Sequence, residues 1–483
     1  MRLTIANFRK PLLLVASIYL AGQFGLVSDG IAEDKPLPGE SSSGAWSGRY
    51  RGYNLLFIIL DTLRVDNLSC YGYCRKTSPN IDRLAERSAF FENAFIHLPL
   101  TLPSHVSIFT GMYPQNTSVM QNFGYLSDDK VTLAELFQEK GYATAAVVSS
   151  AVLKKNNNLD QGFDDYLHNF RVGDKRFGPE AWKAQGPADA ANRLAISWLD
   201  KNRGRKFFLW MHYYDIHGPN IKDKRFGEMF DHRSQEFIDY IGSRWETPIL
   251  DEWKYLQITN YDRRVAFIDH HIGELVRELR RLNQAKRTII VITSDHGEGL
   301  YQHKNYFSHG RYVYEEQIKV PLLIVLPDIK NQIRIGSIVE SVDIMPTVLE
   351  LLGLERRHQL DGESLVRLLE GKNRSKKERA FALSLKGSEA QGGRASPGQL
   401  CVRTPAGKLI HAFGGESEFY DLHLDPFEKR NAYAAADQKR GKALNRLARD
   451  GIEWFGQSEP GETPPPELDD QTRRELKALG YIQ

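Results

Sequence analysis

The chain has 483 residues, 41% hydrophobic and 11% aromatic, with 64 basic side chains against 61 acidic ones and a formal charge of +3. That length and apolar content support a large buried core and exclude a disordered or fibrous chain. The evenly mixed charge leaves no electrostatic footprint for nucleic acid.

The chain opens on a leader. Arg2, Arg9 and Lys10 surround the start of an apolar run over 11–20, and small residues Ala21, Gly22 and Gly25 follow. A basic start, a short apolar middle and a small-residue exit predict a secretory signal within 1–32, and export to the periplasm or the outside of the cell. An uncleaved signal anchor is the alternative. It is the expected route to a membrane, because no later segment is apolar enough to span one. Residues 33–52, rich in Ser, Gly, Pro and charge, read as a linker.

A continuous apolar run over 54–60 marks a strand covered on both faces, and it ends at Asp61. Cys70 and Cys74 flank a Tyr-Gly-Tyr turn, where a local bridge or two loop thiols both fit; with Cys401 they make no disulfide framework. A helix starts at Ser78-Pro79. Thr101-Leu102-Pro103-Ser104-His105 opens a short helix that Gly111 ends, with Thr101 as the expected N-cap and Pro103 in the first turn. A hydroxyl at a helix N-terminus stands among free N–H groups at the positive end of the dipole, a setting for an anionic ester.

A helix over 133–140 leads into a strand over 143–148, and a helix over 188–200 into a strand over 206–211. That strand runs out through His212 to Asp215-Ile216-His217. A long amphipathic helix over 261–282 precedes a strand over 287–294, which ends at Asp295-His296-Gly297-Glu298. A strand over 321–326 and a helix over 344–352 follow. From 372 the composition turns to Lys, Arg, Gly and Ser, and strand-like runs at 399–403 and 408–413 predict a small subdomain over 372–435. Residues 436–483 read as a tail with a proline run and a short helix over 469–479.

Strands alternating with helices predict an α/β fold with a mainly parallel sheet, and such sheets place ligands beyond the carboxyl ends of their strands. Three strand ends carry Asp61, Asp215 with His217, and Asp295 with His296. Singly, each reads as a cap or turn residue. Together they are donors suited to zinc, manganese and similar ions.

Further motifs stand in a fixed order with these: Leu60-Asp61-Thr62-Leu63-Arg64, Ser78-Pro79-Asn80-Ile81-Asp82, Pro103-Ser104-His105 with Thr110-Gly111, Asp215-Ile216-His217-Gly218-Pro219, Thr293-Ser294-Asp295-His296-Gly297-Glu298, and Tyr314-Glu315-Glu316. From about Asn54 to Asn431 the chain resembles the sulfatase family of the alkaline phosphatase superfamily. The resemblance implies an alkaline-phosphatase-like α/β/α sandwich over 53–371 with a small antiparallel C-terminal subdomain. It also implies hydrolysis of a sulfate or phosphate ester of a small molecule, glycan or lipid at a metal site.

The departures from the family pattern carry chemical weight. A typical sulfatase has Cys or Ser followed by x-Pro-x-Arg, and oxidises that first residue to formylglycine. Here Thr101 stands in its place, and the β-methyl would yield a ketone rather than an aldehyde. His105 stands at the arginine position. The usual Asp pair is Asp61-Thr62, the usual Asp-Asn is Asp295-His296, and Ser149-Ser150 replaces a Lys-x-His pair. Related phosphatases, phosphodiesterases and phosphomutases attack with Ser or Thr directly and bind two metals through Asp and His.

The expectation is therefore a phosphate monoester or diester hydrolase with one or two divalent ions, zinc or manganese ahead of calcium or magnesium. Asp61, Thr101, Asp295 and His296 are expected at one ion. Asp215, His217 and His309 are expected at a second, with His303 as an alternate. Thr101 is the expected nucleophile, with His105, His217 and His309 as further catalytic candidates. A sulfatase working without formylglycine, and a catalytically silent binding protein, are the two other readings.

Overall fold

The computed structural model describes residues 45–168, 187–218, 223–230, 232–245, 251–371, 377–386 and 396–456. The expected leader, residues 33–44 of the expected linker and the expected helix over 469–479 lie outside the described residues. Among the described residues no helix is long and apolar enough to cross a membrane.

The strands in chain order are β1 (Asn54–Leu60), β2 (Ser88–Phe95), β3 (Ala143–Val148), β4 (Asp165–His168), β5 (Phe207–Tyr213), β6 (Thr288–Ser294), β7 (Gly299–Leu300), β8 (Phe307–Ser308), β9 (Lys319–Val325), β10 (Ile333–Glu340), β11 (Ala380–Lys386), β12 (Ser396–Arg403), β13 (Gly407–Ala412) and β14 (Glu418–Asp421). Eight form the central sheet in the order β10-β2-β9-β6-β1-β5-β3-β4. Only β9 pairs antiparallel with its neighbours β6 and β2; the remaining pairings are parallel. The strand β9 was legible as an apolar run, but its direction was not, because a run buried on both faces reads the same either way.

The principal helices are α1 (Pro79–Ala85), α2 (Thr101–Thr110), α3 (Leu133–Glu139), α4 (Ala188–Lys201), α5 (Glu252–Arg281), α6 (Ile344–Leu352) and α7 (Tyr433–Gly456). They cover both faces of the sheet. In β1, Leu55, Phe57 and Ile59 join one hydrophobic core with residues of α2, α3 and α6. Leu56, Ile58 and Leu60 join the other with residues of α1, α4 and α5. Helix α5 begins nine residues before the expected start, because Asp251 caps it by accepting the N–H of Lys254 at 2.8 Å.

Strands β11 to β14 form a separate antiparallel sheet. Helix α7, which the sequence pattern did not single out, packs on it through Leu444 against Leu409 and Phe419. Trp454 of α7, Leu383 and Leu400 bury Leu98 and Leu100, the residues just before Thr101. The small sheet thus buttresses the segment that presents the threonine. Cys70, Cys74 and Cys401 are all free thiols.

Candidate active site

Register builds the site. Leu60, the last residue of β1, pairs with Tyr213 of β5 and with Ser294 of β6. The chain continuations at Asp61, Tyr214 and Asp295 therefore emerge at one level of one sheet edge. Thr62 sits there at φ +58, a left-handed conformation that is costly for a β-branched residue. It is held by its N–H donating to Asp295 Oδ1 at 3.1 Å and its hydroxyl donating to the Asp61 carbonyl at 2.7 Å.

Thr101 is the first residue of α2, not its cap. Leu100 has the extended backbone of the N-cap and no capping side chain of its own, and Asn122 Oδ1 instead accepts the Leu102 N–H at 2.9 Å. The correction matters chemically, because Thr101 Oγ1 is not consumed by a cap hydrogen bond and lies 3.5 Å from His296 Nε2. The helix is pinned to the metal-facing loop by Ser104, whose hydroxyl donates to the Asp295 carbonyl at 2.6 Å.

Asp61, Asp295 and His296 are fully buried, and one ligand atom from each lies within 4.8 Å of the others. His296 donates from Nδ1 to the Gly297 carbonyl at 2.9 Å, which leaves the unprotonated Nε2 turned toward Thr101 Oγ1. Gly297 is required here, since a Cβ would stand 2.0 Å from the Glu316 carbonyl. Both oxygens of Asp61 and Oδ2 of Asp295 have no hydrogen-bond partner. Burial holds the Asp61 carboxyl well above its ordinary range; burial and then Asp61 push Asp295 up to about 7. Burial pulls His296 down to about 4. Buried carboxylate oxygens that accept no hydrogen bond, beside an imidazole nitrogen with its lone pair free of a proton, are the arrangement that a divalent cation satisfies.

His217, Glu298 and His309 form a second group, closer to solvent. His309 donates from Nδ1 to the Pro99 carbonyl at 3.2 Å, and His217 Nδ1 meets the Tyr214 hydroxyl at 3.0 Å. The two Nε2 atoms lie 3.2 Å apart. That separation suits two imidazoles on one tetrahedral ion, whose metal–nitrogen distances are about 2.0–2.1 Å. Burial depresses both imidazoles well below their ordinary range and pushes Glu298 up to about 8. The rings of His296 and His309 are 4.2 Å apart and join the two groups.

Asp215 stands apart from both groups. Its Oδ1 accepts the N–H of Ala188 at 3.2 Å, at the start of α4. Glu298 occupies the carboxylate position expected of it. His303 is likewise elsewhere: Nδ1 meets Glu316 at 2.8 Å and Nε2 meets the Glu428 carbonyl at 3.0 Å. His105 is buried beneath Thr101, donating from Nδ1 to the Thr101 carbonyl at 2.7 Å, with its Nδ1 3.9 Å from Asp295 Oδ2. Burial pulls it down to about 3.

Two residues went unassigned in the sequence. His212 accepts the Ser149 N–H at Nδ1 and turns Nε2 to within 3.4 Å of Asp61 Oδ2. Its signal was a histidine inside a buried apolar strand. Glu298 lay in plain view, two residues after His296.

The comparisons with known proteins identify the family. The sulfatase family model matches residues 53–354, and that of the N-sulphoglucosamine sulphohydrolase C-terminal domain matches 303–449. The chain belongs to the sulfatase family. It is 24% identical to an N-acetylglucosamine-6-O-sulfatase of Bacteroides thetaiotaomicron, over 85% of this chain and 88% of that one. It is 26% identical to a delta 4,5-hexuronate-2-O-sulfatase of the same organism, over 81% and 86%. In structure it matches the phosphonate monoester hydrolase of Agrobacterium radiobacter with a TM-score of 0.66 at 20% identity, covering 83% of this chain and 96% of that one. A protein solved with its substrate D-glucosamine-2-N,6-O-disulfate matches at a TM-score of 0.67 and 22% identity, covering 85% and 100%. The fold is alkaline-phosphatase-like, and the protein is a sulfatase-family hydrolase acting on ester bonds.

Proposed function

We propose that this sulfatase-family enzyme hydrolyses a phosphate monoester or diester with Thr101 as covalent nucleophile. The observation that carries this reading is the Thr101 hydroxyl 3.5 Å from His296 Nε2, beside three buried carboxylate oxygens of Asp61 and Asp295 that accept no hydrogen bond. Asp61, Asp295 and His296 would hold one divalent ion next to Thr101, and His217, Glu298 and His309 a second. Bound there, divalent cations supply Lewis acidity that lowers the pKa of the hydroxyl and neutralises charge on the transferring group and leaving oxygen.

The protein's own groups do the rest. The N-terminus of α2 places Thr101 at the positive end of the helix dipole, which favours an anionic ester, although the Leu102 N–H there already donates to Asn122 Oδ1 at 2.9 Å. Ser104, through the Asp295 carbonyl, fixes the distance between Thr101 and the ligand group. His212 turns Nε2 to within 3.4 Å of Asp61 Oδ2 without a hydrogen bond and lines the base of the site. His105, whose pKa burial pulls down to about 3, is neutral near pH 7, adds no charge below the site and supports the first turn of α2.

A second reading is sulfate ester hydrolysis, which the sulfatase relatives support. Threonine at 101 leaves no route to an aldehyde, so that reading also requires direct attack by the hydroxyl.

Kinetics of two variants test the proposal. Thr101→Ala should lower kcat by at least about 10³-fold while melting within about 1 kcal/mol of the parent. Thr101→Ser keeps the attacking oxygen and should retain much of the activity. An active Thr101→Ala protein overturns Thr101 as nucleophile, and the ester on which turnover is found separates phosphate from sulfate.

A further inference from the structure

Arg264 is a buried charge that the chemistry above does not use. It lies on α5, one turn from Tyr261, and is 6% exposed. The comparably buried Arg64 and Arg75 each hold a carboxylate, Asp66 at 2.6 Å and Asp262 at 2.7 Å. Arg264 has no such partner among the described residues, and its Nε is buried without a hydrogen bond. A guanidinium taken out of water is costly unless an anion pairs with it. Its planar fork of donors matches an oxyanion in two parallel hydrogen bonds.

Its place in the site is defined by the neighbouring turn. Gly218, directly after His217, has φ +127, and a Cβ built on it would stand 3.4 Å from Arg264 Nη1. The guanidinium thus lies against the His217-Gly218 turn. Across the site the order runs from Thr101 to His296, then His309 with its ring 4.2 Å from that of His296, then His217 at 3.2 Å between ring nitrogens, then Arg264. The arginine's charge acts on His217 and Glu298 and is not among the influences on His296 or His309. Arg264 therefore borders the second group, at the end of this series of contacts opposite Thr101.

We infer that Arg264 forms a second anion subsite, recognising an oxyanion (carboxylate, sulfate or phosphate) carried on the leaving portion of the ester. The inference rests on the hydrolase reading above, and names a substrate with two anionic groups. No covalent step is involved; the subsite orients the leaving portion and lowers KM.

The test compares metal-loaded enzyme on phenyl phosphate and on 3-carboxyphenyl phosphate. The parent should prefer the carboxylated ester by about tenfold or more in kcat/KM, chiefly through KM, as expected of one charge-assisted contact. In Arg264→Gln the ratio should fall to about one, and Arg264→Lys should keep part of it. The lysine variant carries the test if the glutamine variant fails to fold. Calorimetric titration of metal-loaded Thr101→Ala with both esters removes turnover from the question. There, Arg264→Gln should weaken the carboxylated ester about tenfold relative to phenyl phosphate. A parent ratio near one, or a preference that survives in Arg264→Gln, overturns the subsite and leaves the hydrolase reading standing. Neither hydrolysis nor binding of either ester overturns both.

Discussion

The group of His303, Glu316 and Glu428 and the group of Asp61, Asp295 and His296 use the same donor types, and both are buried. The first carries its own cation. Lys408, fully buried, meets Glu428 at 2.7 Å, both ring nitrogens of His303 are engaged, and the Glu428 carboxylate also accepts the N–H of Glu315 at 2.7 Å. Burial opposes a charge on His303, yet Glu316 and Glu428 raise it to about 9, so it is a cation too. The second group has no Lys or Arg partner among the described residues, only imidazoles that burial keeps neutral, and both oxygens of Asp61 and Oδ2 of Asp295 accept no hydrogen bond. Donor type and proximity therefore do not distinguish a metal centre from an internal ion pair. What distinguishes them is whether the charge is already balanced.

The largest expected effect breaks the unbalanced group. His296→Ala should lower kcat by about 10³-fold or more and release the ion beside Thr101, read by elemental analysis of the purified protein alongside the assay. Retained metal and activity in that variant would place the two groups in the same class. Breaking the balanced group should do the reverse. Glu428→Gln leaves Lys408 and His303 without their counter-charge, and chemical denaturation should show a loss of about 3–5 kcal/mol with metal content unchanged.

A smaller effect sharpens the assignment of the second ion. Glu298→Gln should weaken that ion by about 10–100-fold in a competition titration. Asp215→Asn should change metal affinity little, since its amide oxygen can still accept the Ala188 N–H. The opposite ranking would restore Asp215 as the ligand.

The smallest effect is a slope with pH. Asp295 and Glu298 have folded-state pKa values raised to about 7 and about 8. In metal-free protein these carboxyls favour the folded state while protonated, and that contribution is lost as pH rises through their folded values. A cation must displace the same protons, so its stabilisation grows over the same range. Between about pH 6.5 and about pH 8.5, melting temperature should fall for metal-free protein while the increment on adding zinc or manganese rises. An increment that does not change with pH would contradict these two carboxyls as ligands.

Much of the fold was legible because parallel strands buried on both faces leave unbroken apolar runs, as at β1, β3 and β6. The edge strand β10 and its neighbour β2 were not, being mixed in pattern. Asp61, Asp295 and His296 were legible because register alone brings strand ends together. The second group was legible only in part, because loops rather than strands aim it. From sequence Asp215 and His217 look like one motif, yet the backbone turns Asp215 toward α4 while Glu298 reaches His217 from the far side of the site. The role of Thr101 as first residue rather than cap depends on the extended backbone of Leu100, which the small C-terminal sheet buries from a distance of some 280 residues in the chain.

The central claim is that Thr101 attacks and is esterified, and mass spectrometry reads it most directly. Metal-loaded enzyme turning over phenyl phosphate is quenched in acid, and the peptide bearing Thr101 is analysed. The account predicts that this peptide gains the mass of one phosphoryl group, localised on Thr101 by fragmentation. An unmodified Thr101 peptide during rapid turnover, with hydrolysis undiminished in Thr101→Ala, would contradict it.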